Sequence, residues 1–134
     1  MQLKVSTDYA IRIVLHLAVK GGAATSSEIS GQMGVPRSVI ATLAKPLQKA
    51  GILTTQRGTG GGFALGRRPE DISLYAIINA MEGTTRINRC LEPDSFCSRN
   101  GVETCPVHKF YTHIQSYLDE AFQDKTIASL MEDA

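Results

Sequence analysis

Glycine sets the segment lengths of this chain. Gly21-Gly22, Gly34, Gly51, the run Gly58-Thr59-Gly60-Gly61-Gly62 and Gly83 cut the first 83 residues into pieces that each hold one helix or one hairpin. Residues 6–20 place Ala10, Ile13, Val14, Leu17 and Ala18 at helical spacing and stop at Gly21. Thr25 and Glu28 have the hydroxyl-to-acid spacing of a capping box, opening a short helix that ends at Gly34. After the tight turn Gly34-Val35-Pro36, a third helix carries Val39, Ile40, Leu43 and Leu47 inward until Gly51. Pro46 removes the bond to the Thr42 carbonyl, which predicts a kink or break near Lys45. Ile52–Thr55 and Phe63–Leu65 are β-prone runs on either side of the glycine-rich stretch, hence a hairpin. Asp71 or Ser73 caps a fourth helix with Leu74, Ile77, Ile78 and Met81. The longest helix runs from Pro106 to about Gln123, with Val107, Phe110, Ile114, Leu118 and Ala121 on one stripe. Thr126 begins a final turn or frayed tail.

The predicted fold is therefore mainly α: a winged helix-turn-helix over residues 1–83 with a small β-hairpin wing, a cysteine-rich loop over 84–105, and a long C-terminal dimerisation helix with its tail over 106–134. With 43% of its 134 residues apolar, the chain can bury a core without disulfide staples. No apolar run is long enough to span a bilayer, and Lys4, Asp8, Arg12 and Lys20 interrupt the N-terminal one, so a soluble cytoplasmic protein is expected.

The net charge of +1 conceals a division. Residues 1–68 hold 9 Lys/Arg against 2 Asp/Glu, or +7; residues 69–134 hold 5 against 11, or −6. The basic half is also the helix-turn-helix half, which points to double-stranded DNA as the partner. In such a unit the third helix enters the major groove, nominating Arg37, Ser38, Ala41, Thr42 and Lys45 on the face away from its apolar residues. The wing tip offers Arg57 to a narrow minor groove, with Thr59 and Gly60 close to phosphates. The glycine run lacks the Lys-Ser/Thr ending of a nucleotide-binding loop.

All three cysteines, Cys90, Cys97 and Cys105, fall within 16 residues separated by Pro, Asp, Ser, Asn and Gly. Loop composition and an odd number argue against core packing and against a disulfide framework. Thiolates so clustered suit zinc or an iron-sulfur cluster, and His108, three residues past Cys105 near the start of a helix, supplies a further ligand. Cysteine pairing on oxidation, without any metal, is the other chemistry this loop allows. Cys105 and His108 do not read as a nucleophile and base, because no orienting third group or oxyanion site accompanies them; an enzyme is not expected.

The turn and helix Val35 to Leu53, the wing Arg57-Gly58-Thr59-Gly60-Gly61-Gly62-Phe63, the segment Arg68 to Leu74, the Ala80-Met81-Glu82-Gly83 ending and the three-cysteine loop together resemble the Rrf2 family of bacterial regulators over nearly the whole chain. The resemblance implies a homodimeric transcription factor whose operator binding follows an iron-sulfur cluster that senses nitric oxide, redox state or iron supply. It implies Cys90, Cys97 and Cys105 as cluster ligands and Arg57 as the wing arginine. For the fourth ligand it implies His108, as in the IscR-like branch with a 2Fe-2S cluster, or Asp8, reaching across the dimer as in some NsrR-like proteins with a 4Fe-4S cluster. The spacers between the cysteines are longer here than those common in either branch, and Ala41 stands where IscR-like proteins carry an acidic base-reading residue.

Overall fold

The computed structural model describes residues 1–133. Six helices and one hairpin follow in the order α1 (Val5–Lys20), α2 (Ser26–Met33), α3 (Arg37–Lys49), β1 (Leu53–Gln56), β2 (Gly62–Leu65), α4 (Leu74–Glu82), α5 (Pro106–Asp124) and α6 (Ile127–Glu132), with single 3-10 turns at Pro69–Asp71 and Arg89–Leu91. The fold is the mainly helical winged helix expected.

Local signals explain most boundaries. Gly21 and Gly34 end α1 and α2 in the left-handed conformation, returning their N–H groups to the Leu17 and Ser30 carbonyls. Thr25 accepts the Glu28 N–H at 3.2 Å, but only half of the capping box forms. The Glu28 carboxylate turns instead to Lys20 at 2.7 Å and His16 at 3.1 Å, tying α2 to α1. Ser73, rather than Asp71, caps α4 by accepting the Ala76 N–H at 3.0 Å.

Of the kink or break expected near Lys45, the break is absent, because α3 continues through Pro46 to Lys49. Proline costs that turn one hydrogen bond. Leu43, Ala44 and Leu47, all buried around it, hold both sides of the gap against the core. The exposed end of α3 is then closed from outside by Arg67, whose guanidinium donates to the Ala50 carbonyl at 2.9 Å and to Gly51 at 3.4 Å.

One core gathers α1 (Ala10, Ile13, Val14, Leu17), Ile29 of α2, Ile40 and Leu47 of α3, and Ile52, Ile72 and Ile77 beyond them. Ile127, fully buried, joins the same cluster. The chain end is thus neither a lone turn nor frayed. Thr126 and Ser129 form a complete capping box for α6, and the Ile127 N–H reaches the Ile72 carbonyl at 2.9 Å. A hydrophobic residue at 127 can be read as core only once the chain is known to return to α1.

In the hairpin Leu53 pairs with Leu65 and Gln56 with Gly62, and Phe63 exchanges two backbone bonds with Ala24, which anchors the wing to the segment before α2. The glycine run is demanded by this geometry. Gly62 has φ +145, and a Cβ there would sit 2.1 Å from the Ala24 carbonyl oxygen.

Candidate nucleic-acid interface and cysteine site

Arg37, Ser38, Ala41, Thr42 and Lys45 are all exposed on α3, on the side opposite buried Ile40, Leu43, Ala44 and Leu47. Arg57, Thr59 and Gly60 are exposed at the wing tip. The two elements are joined where α3 meets β1, by Gln48 Nε2 donating to Thr55 Oγ1 at 2.5 Å.

The fate of the nine basic residues of the first half is informative. Arg12 pairs with Asp8, Lys20 with Glu28, and Arg68 with Glu70 and Asp71, while Arg67 serves backbone carbonyls. Of the five that remain, Arg37, Lys45, Lys49 and Arg57 lie on α3 or the wing, and none of them takes part in the ion pairs among the described residues. Within the first half, the cations left out of these ion pairs are therefore concentrated on the surface that would meet a phosphate backbone.

The cysteine site is built from the loop between α4 and α5 and from the first turn of α5. Cys105 is the N-cap of α5, and its Sγ accepts the His108 N–H at 3.4 Å. His108, one turn in, brings Nδ1 to 3.2 Å from Cys90 Sγ, a contact between residues 18 apart in sequence. Asn88 Nδ2 donates to the same sulfur at 3.2 Å. Cys97 lines the same pocket of about 290 Å³, which also has Phe96, Val102 and Tyr111 in its walls. The backbone N–H groups of Gly101 and then Arg99 face Cys97 and hold its thiol below the ordinary range.

The spacer between Cys90 and Cys97 has its own clamp. Arg89 bonds both oxygens of Asp94 at 2.5 and 2.7 Å and lies over the Phe96 ring at 5.2 Å. This pairing draws the Asp94 carboxyl down to about 2.

All three cysteines and His108 thus face one pocket, although among the described residues no three metal-ligating side chains are drawn close enough to hold a single ion. In donor chemistry the set fits a soft metal or a cluster: three thiols, one imidazole and a pocket several times the volume of a water molecule. Asp8 does not line this pocket; on α1 it is bonded to Arg12 at 2.7 Å. Sequence reasoning missed Asn88, Arg89 and Asp94. The Arg89 and Asp94 charges five apart in a cysteine loop were a visible signal for the clamp, whereas nothing in sequence announced Asn88.

Comparisons with known proteins agree with this architecture. IscR of Aliivibrio salmonicida, an HTH-type transcriptional regulator, is 27% identical over 135 residues, spanning 99% of this chain and 79% of that protein. The structure of CymR, the global cysteine regulator of B. subtilis, superposes with a TM-score of 0.81 at 22% identity, covering 100% of this chain and 98% of the other. IscR of T. potens gives 0.76 at 21%, with 99% and 88% covered. At these identities the two structures speak for the fold alone. No helix of the described residues is long and apolar enough to cross a membrane. The family model described as "Rrf2: Iron-dependent Transcriptional regulator" matches residues 3–133, and with it the helix-turn-helix, the wing and the cysteine loop fall into one frame: the chain belongs to the Rrf2 family of transcriptional regulators, which are DNA-binding proteins and not enzymes.

Proposed function

We propose that the protein is a cytoplasmic homodimer that binds a double-stranded operator through α3 and the wing, with an iron-sulfur cluster at the cysteine pocket controlling its affinity. The observation that carries this reading is the contact of Cys90 with His108 in a pocket shared by Cys97 and Cys105. Arg37, Ser38, Ala41, Thr42 and Lys45 read or approach the major groove, and Arg57, Thr59 and Gly60 meet the minor groove and its phosphates.

Cys90, Cys97 and Cys105 would hold the cluster, with His108 as fourth ligand. Its place in the same pocket supports His108 as a ligand from within the chain, while Asp8, bonded to Arg12 on α1, would have to come from the second copy. When bound, a 2Fe-2S or 4Fe-4S cluster supplies a centre that reacts with nitric oxide and oxidants and depends on iron supply. The protein's part is to position the thiols and to connect their loop to the helices that set the spacing of two reading heads.

Support for dimerisation comes from α5. Val107, Phe110 and Tyr117 are 51%, 59% and 70% exposed on it, apolar surface that a second copy would cover. A two-fold dimer also meets the need to place two reading heads about 34 Å apart on one face of DNA.

A second reading has its own observation. Backbone N–H groups stabilise the Cys97 thiolate, the reactive form in disulfide exchange, and this favours a metal-free switch in which Cys97 pairs with Cys105.

Anaerobic purification followed by absorption, iron, zinc and sulfide analysis tests the proposal on the wild type, Cys90→Ala, His108→Ala and Asp8→Ala. Iron with acid-labile sulfide, lost in Cys90→Ala and His108→Ala but kept in Asp8→Ala, is the expected outcome. One zinc per chain without sulfide would make the site structural. An iron-free protein whose operator binding ignores Cys90→Ala but responds to peroxide would favour the thiol switch.

A further inference from the structure

Between Gly83 and Lys125 a single residue among those described is buried, and it is polar: Gln115, 3% exposed, in the middle of α5. A glutamine taken out of water must satisfy both ends of its amide. Here it does so entirely on one neighbouring segment and one side chain. Its Oε1 accepts the Ile87 N–H at 2.7 Å, and its Nε2 donates to the Thr85 carbonyl and to Asp119 Oδ1, each at 2.9 Å. Arg86, between the two clasped residues, donates to Asp119 Oδ2 at 2.9 Å. Segment 85–87 is therefore gripped by α5 on successive residues, by bonds that fit one register only.

That register lies between the two halves of the cysteine site. Cys90 follows Ile87 by three residues, and the short 3-10 turn Arg89–Leu91 joins them. His108 precedes Gln115 by seven residues, about two turns or 10 Å along the same face of α5. Sliding the segment along the helix by one residue would carry Cys90 away from His108. No apolar residue of α5 is fully buried, and Leu118 and Phe122, which line one cavity with Ile87, lack the directionality of the Gln115 bonds.

We propose that Gln115 is a positioning residue of the cysteine site, setting by its clasp on Thr85 and Ile87 the height at which Cys90 meets His108. The inference rests on the reading of this pocket as the sensing site, but it concerns the metal-free chain and is tested there. Asp119 and Arg86 brace the clasp. The same segment begins where α4 ends, and Glu82 there accepts the Lys4 N–H at 3.0 Å and the Thr7 hydroxyl at the start of α1. The strap 82–87 thus connects the pocket to the start of α1 in the DNA-binding half.

The test is differential alkylation of the reduced, metal-free protein by iodoacetamide, read for each cysteine by mass spectrometry, in the wild type, Gln115→Leu and Arg86→Met. Gln115→Leu keeps the volume and removes the clasp. Expected is at least a tenfold faster modification of Cys90, with Cys97 and Cys105 within about twofold of wild type, and a smaller Cys90 effect in Arg86→Met. Amide exchange at Ile87 should rise with the Cys90 rate in the same variants. An unchanged Cys90 rate, or an equal rise at all three cysteines, would overturn the proposal, the latter because it reports loss of the fold and not of one register. Because no metal enters this experiment, its failure is distinct from the absence of a cluster in the purified protein.

Discussion

The two halves of this molecule are held together by different means. From α1 to α4 the chain is ordered by a dry core: Ile13, Leu17, Ile29, Ile40, Leu47, Ile52 and Ile77 are almost wholly removed from water, and each helix contributes. From Gly83 to Asp124 the specific contacts are polar, namely the Gln115 clasp, the Arg86–Asp119 and Arg89–Asp94 pairs and the contacts to Cys90, while Val107, Phe110 and Tyr117 of α5 face outward and Ile114 and Leu118 are only half-buried. A core specifies one rigid scaffold, which suits a surface that must present Arg37 and Arg57 in fixed relation. Polar contacts around a pocket are individually weaker and can exchange partners, which suits a region that changes state.

The largest effects that sharpen this contrast lie in the core. Leu47→Ala should lower unfolding free energy by about 2–5 kcal/mol, measured by denaturant titration. Phe110→Ala should leave that value within about 0.5 kcal/mol per chain at protein concentrations where only the monomer is populated, while weakening self-association in sedimentation. Equal losses in the two would break the contrast, because α5 would then belong to the scaffold.

Next in size come the reading surfaces. Arg37→Ala is expected to cost about 1–3 kcal/mol of operator affinity if it contacts a base edge. Arg57→Gln should lower the salt dependence of binding by a slope of about 1 if it neutralises one phosphate. Neither side chain has an ion-pair partner among the described residues, so melting temperatures should stay at the wild-type value, and a fall would show that these cations hold the fold. Removing a helix cap is smaller: Thr25→Ala and Ser73→Ala should each cost about 1 kcal/mol, read by thermal unfolding.

The smallest effect concerns the clamp between Cys90 and Cys97. Arg89 lowers the Asp94 carboxyl from its ordinary 3.8 to about 2. A depressed acid stabilises the folded loop above the unfolded value and ceases to do so as pH falls through the folded one. Order at the Phe96 N–H, which donates to Asp94 at 3.2 Å, should thus hold from neutral pH to about 4 and decline towards pH 2. In Asp94→Asn amide exchange at Phe96 should lack that decline. The pair is solvent-exposed, so global stability should hardly register the change.

How much could be read in advance differs between the halves for the same reason. Helix lengths, the Thr25 and Ser73 caps, the hairpin and the core stripes are local: each depends on residues a few positions apart, and glycine or a hydroxyl marks its ends. Pro46 defeated local reading because burial of Leu43, Ala44 and Leu47 outweighs one missing backbone bond. The segment 126–132 defeated it too, since Ile127 is core only because the chain returns to α1 and to Ile72, 55 residues earlier. In the cysteine site the ligand types were legible as a cluster, but Asn88 and Gln115 look like ordinary surface polar residues.

What the amino-acid order determines by itself is therefore the set of elements, the division of charge and the chemistry of the thiol loop. Glycine conformation, side-chain polarity and side-chain softness are properties of residues and survive without a fold. Which cations stay unpaired, which glutamine is buried, and that Cys90 meets His108 were decided only by the tertiary structure. Each of those depends on bringing distant segments within hydrogen-bond reach, and a hydrogen bond is set by distance and angle rather than by composition.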